Sequence, residues 1–177
     1  NLDGARTGVA VPVASAPAGL QSLDDLPGFA DALERRIHCI EPGSGANTTT
    51  EQAINGDLYG LGGWSVVPSS TQAMLLQVGR AIERDRPIVF CAWRPHWMNV
   101  VYELRYLDDP RGHWGGEPGG TRVLTLARAG LADDAPNLAA LLGRFRVDAA
   151  VQSQWIHEYA REDRPRDAVA REWLTAN

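Results

Sequence analysis

The sequence predicts an α/β fold built around a mainly parallel sheet. Two observations carry that expectation. Short β-branched runs alternate with amphipathic helical stretches through the first hundred residues, the pattern of βαβ units. Beyond Trp97 the character changes to helices with almost no strand signal. The chain is therefore expected to divide into an α/β lobe over residues 1–100 and a crossover with a mostly helical tail over residues 101–177.

The elements follow in order. Gly8 to Val13 is a β-branched run bounded by polar residues and a Pro/Ala/Gly stretch, hence a strand. Asp24 to Glu34 has an acidic start and places Leu26, Phe29, Ala30 and Leu33 at helical spacing. Arg36 to Glu41 is a second strand, broken by Pro42-Gly43-Ser44-Gly45, and Thr48 to Leu58 reads as a helix. Trp64 to Val67 is a third strand. Ser69 and Ser70 cap a helix running to Glu83, and Pro87 to Ala92 is a fourth strand. Val100 to Tyr106 is apolar and aromatic, and Asp108 to Gly120 is a Gly/Pro-rich loop. Thr121 to Ala127 reads as a short strand, followed by helices over Asn137–Leu142, Val147–Ala160 and Pro165–Leu174.

Composition narrows the function classes. The 177 residues suffice for a core, with 44% apolar and 22% charged residues. A net charge of −5 gives no reason to expect nucleic acid or an anionic membrane as partner. No stretch approaches the ~18 apolar residues of a membrane span. The opening "NLDGARTGVAVPV" lacks a leader pattern, so the protein is expected to be either cytosolic or exported with its signal removed. Cys39 and Cys91 make neither a disulfide framework nor a metal site. They read as two buried thiols, or as a disulfide between neighbouring strands of an exported protein.

Two stretches carry chemistry. In "IEPGSGAN", Ile40 to Asn47, a strand enters a Pro-Gly-Ser-Gly turn and then a helix, with Asn47 or Thr48 as the cap. Such a turn aims free N–H groups from Gly43 to Asn47 outward at a helix N-terminus, which suits a single carboxylate. The lysine and glycine spacing of nucleotide loops are absent. In "CAWRPHW", Cys91 to Trp97, the residues close another strand, and open α/β sheets bind ligands outside the carboxyl ends of their strands. Trp93 and the Gly43–Asn47 turn should then share an edge. An indole face beside a carboxylate-binding turn complements a small zwitterion with a bulky cation. His96 is a candidate donor to an anion, or else a cap of its own loop. Trp97, Trp64, Trp114, Trp155 and Trp173 read as packing residues.

Enzymatic readings are poor. Cys91 and His96 lack an evident third group, Glu41 and Asp57 lack a partner carboxylate, and His38, His96, His113 and His157 show no metal spacing. No cofactor is expected.

"RIHCIEPGSGAN", the run from Gly62 to Gly112 containing "CAWRPHWMN", and "TRVLTLARAGLADDAPNLAALLGRF" closely resemble the glycine betaine-binding proteins of ABC importers. "NLDGARTGVAVP" is similar to the segment that enters their second lobe. The resemblance covers nearly the whole chain and implies a type II periplasmic-binding-protein fold, with two α/β lobes closing on a betaine in a tryptophan cage. It implies Trp93 as a cage wall and the backbone amides of Gly45 and Ala46 as holders of the ligand carboxylate. Ser44 stands where the family's turn usually has alanine. The family's other lobe, which supplies the remaining cage tryptophans and a ligand-binding histidine, has no counterpart here. The chain is thus expected to be one complete parallel-sheet lobe plus the helical tail of the other. Implied partners are a betaine, an importer permease, and the absent lobe or another copy of the chain, in an extracytoplasmic location. Choline, carnitine, proline betaine or a sulfonium solute are rival ligands, and a sensor domain reusing the fold is the rival function.

Overall fold

Residues 2–115 and 121–176 are described by a computed structural model. In chain order the strands are β1 (Leu2–Asp3), β2 (Arg6–Pro12), β3 (Arg36–His38), β4 (Ser65–Val67), β5 (Phe90–Arg94), β6 (Leu104–Tyr106) and β7 (Val147–Asp148). The α-helices are α1 (Gly45–Asn55), α2 (Thr71–Glu83), α3 (Met98–Val101), α4 (Leu131–Asp134), α5 (Pro136–Arg144), α6 (Ala149–Arg161) and α7 (Arg166–Ala176). The chain groups into two compact units. One comprises Arg6–Trp93 and Val101–Gly120; the other comprises Asn1–Ala5, Arg94–Val100 and Thr121–Asn177.

The first unit is organised by a sheet of order β4-β3-β5-β2-β6. β3 runs parallel to both β4 and β5, with His38 opposite Val67 and Phe90. β6 runs antiparallel to β2, with Ala10 opposite Tyr106. The mainly parallel reading therefore holds for β4, β3 and β5, while β6 reverses. Its connection from β5, residues 95–103, is too short for the helical crossover a parallel return requires.

Apolar side chains on β2, β3 and the segment entering β5 meet beneath the helices. Val9, Val11, Ile37 and Val89 are essentially inaccessible, as are Leu20, Leu23, Leu26 and Leu61. Each such burial contributes roughly 1.5–3 kcal/mol. Trp64 and Trp114 join the same core, as packing residues should.

The stretch expected to be a helix from Asp24 to Glu34 is instead a 3-10 helix over Leu23–Phe29 followed by turns. A capping box starts it, with Ser22 Oγ accepting from Asp24 N–H and the Asp25 carboxylate from Ser22 N–H. Pro27 and Gly28 then deny it the bonding and stiffness of a regular α-helix.

In the second unit β1 pairs with β7 in parallel, Leu2 opposite Val147. Asp148 caps α6 by accepting from Ala150 N–H at 2.6 Å. Trp155 on α6 and Trp173 on α7 pack edge to face, their centroids 5.3 Å apart. Arg164 between these helices bonds Glu158 and Glu172. The short strand expected over Thr121–Ala127 does not form. Only an isolated bridge joins Val123 to Leu2 of β1, and Leu124 and Leu126 are exposed. The part of the Gly/Pro-rich loop over residues 116–120 lies outside the described residues.

Candidate ligand site at the carboxyl edge of the sheet

Because β3 and β5 are adjacent and parallel, their carboxyl ends lie at one edge of the first unit. β3 leaves through Cys39–Ser44 into α1, and β5 carries Trp93 one residue before its end. Side chains alternate along a strand, so Trp93 projects to the same face as Cys91. Cys91 in turn lies against the first turn of α1, its sulfur 4.0 Å from the Ala46 carbonyl oxygen. Trp93 is half-buried.

The turn itself has a simple donor inventory. Ser44 is the N-cap, a role expected of Asn47 or Thr48. Its hydroxyl accepts from Asn47 N–H at 3.3 Å and its carbonyl from Thr48 N–H at 2.9 Å. Asn47 and Thr48 lie too far inside the helix to cap it. The N–H groups left at the start of α1 are those of Gly45 and Ala46, which have no acceptor in their own helix. Gly45 is exposed and Ala46 half-buried. Two oriented amides at a helix N-terminus, with the dipole behind them, have the geometry that suits an anion. Beside them the Asn47 side chain is fully buried, and its Nδ2 has no acceptor among the described residues.

Beneath the turn, Cys39 and Cys91 form a disulfide, with their Cα atoms 4.9 Å apart. The register that sets His38 opposite Phe90 brings the next residues of the two strands together. Thr50, also fully buried, donates its hydroxyl to Ala46 O at 2.8 Å and stands 3.4 Å from the Cys91 sulfur and 3.7 Å from that of Cys39. The turn, the disulfide and the Trp93 strand are thereby linked in one assembly.

His96 belongs to the second unit. Its Nδ1 accepts from Met98 N–H at 3.2 Å, and its own N–H donates to Ser153 Oγ at 3.1 Å. Burial draws the imidazole down to about 4, so the ring is neutral near pH 7. These are the bonds of a loop cap. Trp97 stacks on His96 and carries the Arg161 guanidinium over its face at 4.6 Å.

Groups weighed for catalysis are engaged elsewhere. Cys91 is held in its disulfide and is no free nucleophile. Glu41 caps α2 through Thr71 N–H and hydroxyl, contacts that hold its carboxyl below the usual range. Asp57 accepts from Gly62 N–H at 2.7 Å. Among the described residues no His, Cys, Asp and Glu group is arranged to hold a metal.

Residues 1–176 match the family described as the substrate-binding domain of the ABC-type glycine betaine transport system. The chain belongs to that family. It is 30% identical, over 158 residues, to the glycine betaine/carnitine transport binding protein GbuC of Listeria monocytogenes, covering 89% of this chain and 51% of the relative. An ABC-transporter choline-binding protein solved with choline superposes with a TM-score of 0.82 at 32% identity, over 100% of this chain and 61% of that one. Lactococcal OpuAC in its closed form with glycine betaine gives 0.78 at 30% identity, over 99% of this chain and 65% of that one. These likenesses bear out the α/β periplasmic-binding-protein fold class. The chain spans about half the length of the curated relative.

Sequence reasoning named Trp93, Gly45 and Ala46, which the fold brings to one sheet edge, and His96, which it places in a separate unit. It missed Thr50 and left the cysteine pairing open. A threonine one helical turn after Ala46, able to bond back to the carbonyl four residues earlier, was the available signal.

Proposed function

We propose that this chain is part of a substrate-binding protein that captures glycine betaine, or a closely related quaternary ammonium zwitterion, for an ABC importer. The carboxylate accepts hydrogen bonds from the N–H groups of Gly45 and Ala46, and the indole of Trp93 faces the quaternary ammonium. The observation that carries this reading is the single edge holding both features: two amides without helical acceptors and an aromatic face, tied together by the Cys39–Cys91 bond. In this reading His96 shapes the loop after Trp93 instead of touching the ligand. No chemistry is done on the solute. The partners are the importer's permease and the lobe that supplies the rest of the cage. The setting is extracytoplasmic. No helix among the described residues is long and apolar enough to cross a membrane.

The likeness to a choline-binding protein supports a second reading, choline itself. The two differ in the anion. Choline has no carboxylate and would leave the Gly45 and Ala46 donors unpaired, at a cost of about 1–3 kcal/mol. Titration calorimetry with both ligands separates them: tighter binding of glycine betaine supports the carboxylate role. Equal or better binding of choline refutes it.

A further inference from the structure

The opposite edge of the same sheet carries a cavity, independent of the betaine reading. It holds about 350 Å³, within the range of small-molecule sites, and lies at the amino ends of β3 and β5 against the carboxyl-terminal half of α2. Leu33, Ile88 and Val89 give it an apolar floor. Its polar lining is mostly cationic: Arg36, Arg80, Arg84 and Arg86 surround Gln77 and the half-buried His38. Gln77, Arg80 and Ala81 of α2, with Arg84 at its carboxyl cap, follow i, i+3, i+4, i+7 spacing, so this end of the helix turns one stripe toward the cavity.

The charge balance of this lining is unusual for the chain. The protein as a whole carries −5, yet the cavity gathers four guanidinium groups against one carboxylate, Glu34. Glu34 is taken by Arg36 at 2.8 Å. Arg80, Arg84 and Arg86 have no ion pair with any described residue, although Glu83 and Asp85 neighbour them in sequence. Like charges gathered around one concavity repel, and an anion placed among them relieves that repulsion. Arginine forks suit phosphate oxygens in particular, since they donate paired, planar hydrogen bonds.

We propose that this cavity is a binding site for a multiply charged phosphate group, with Arg80, Arg84 and Arg86 as its donors. A free phosphate compound and an anionic lipid headgroup present the same chemistry, and the test distinguishes them. The full 177-residue chain is titrated with pyrophosphate at low ionic strength, read by 31P NMR. Binding is expected, weakening steeply as salt is raised. Arg80→Gln combined with Arg84→Gln should reduce affinity about tenfold or more, the scale of losing charge-assisted hydrogen bonds. Arg144→Gln combined with Arg146→Gln, surface arginines of the other unit, should leave it unchanged, and circular dichroism checks that each variant is folded. Sedimentation with vesicles containing phosphatidic acid, whose phosphomonoester headgroup can carry two charges, forms the second arm. Vesicle binding displaced by pyrophosphate assigns the site to a lipid headgroup; pyrophosphate binding alone assigns it to a soluble phosphate. Absence of both, or equal losses in the two arginine pairs, overturns the proposal. Glycine betaine added at saturation should not displace pyrophosphate, which keeps this outcome separate from the fate of the carboxyl-edge site.

Discussion

The Thr50 hydroxyl donates to the carbonyl oxygen of Ala46 at 2.8 Å. The bond links a fully buried side chain to a residue whose N–H opens α1, with the Cys39–Cys91 bridge directly beneath. A serine or threonine bonding to the carbonyl one turn back usually serves the helix little. Here the same hydroxyl also lies 3.4 Å from the Cys91 sulfur, so the first turn of α1, which carries the Gly45 and Ala46 amides, packs against the bridged strands.

Thr50→Val keeps the shape and removes the hydroxyl. The protein should lose about 1 kcal/mol of stability, the net worth of one buried hydrogen bond, because the Ala46 carbonyl keeps its helical N–H donor. Thr50→Ser should recover most of it. Urea denaturation followed by tryptophan fluorescence measures both, and an unchanged midpoint in Thr50→Val would show that the bond contributes nothing.

The disulfide closes a loop with a sequence separation of 52. Chain-entropy arguments give about 4 kcal/mol for a loop of that size, with native relaxation reducing it. Cys39→Ser with Cys91→Ser should therefore lower the denaturation midpoint strongly. Reductant should lower that of the parent and leave the double variant unaffected. Equal sensitivity of parent and variant to reductant would rule out the bridge as the cause.

Much of this was legible because the core of the first unit obeys local rules. Ile37, Val66, Val89 and Phe90 sit in short apolar runs between turn residues, and α2 shows its apolar stripe openly. What escaped depends on partners distant in sequence. The pairing of Cys39 with Cys91 follows from the register of β3 on β5, which no local pattern encodes. The direction of β6 is set by a short connection, and Thr121–Ala127 meets the two-residue β1 only at the Val123–Leu2 bridge. The likeness of "CAWRPHW" to a family motif pointed at Trp93. The Nδ1 of His96 accepts from Met98 N–H, a bond within its own loop that the motif does not reveal.

His96 gives a pH prediction. Burial holds its folded-state pKa near 4, below the ordinary 6.5. Between those values the unfolded chain binds more protons, so stability falls as pH drops from about 6.5 to about 4 and is insensitive to this group above that window. His38, also lowered mainly by burial, adds with the same sign. An NMR titration of the His96 ring should show a midpoint well below 6. A midpoint near 6.5 would mean that the ring is solvated and does not cap the loop.

Trp93→Ala tests the aromatic wall. If the indole faces a desolvated quaternary ammonium, affinity for glycine betaine should fall by about 1–2 kcal/mol or more, whereas His96→Ala should cost less. Calorimetry on the protein assembled with its remaining cage gives both numbers. Unchanged affinity in Trp93→Ala removes this residue from the site.

The second unit predicts how the chain behaves alone. Leu126 is 89% exposed, Leu174 69%, Leu141 62% and Leu124 60%, and an apolar hollow between α6 and α7 is lined by Phe145, Trp155, Tyr159 and Trp173. Isolated exposed leucines are ordinary, but these four, on a unit whose described residues form a two-stranded sheet, amount to an apolar surface wanting a cover. The 177-residue chain should therefore associate in solution, through another copy or through a separately supplied lobe. Multi-angle light scattering should show mass rising with concentration. Leu141→Glu with Leu174→Glu should shift the population toward monomer without unfolding it, because both side chains already face solvent and their replacement disturbs no core contact. A monomer that persists at high protein concentration in the unmodified chain would refute the cover altogether. It would leave these leucines as scattered surface residues of no consequence for assembly.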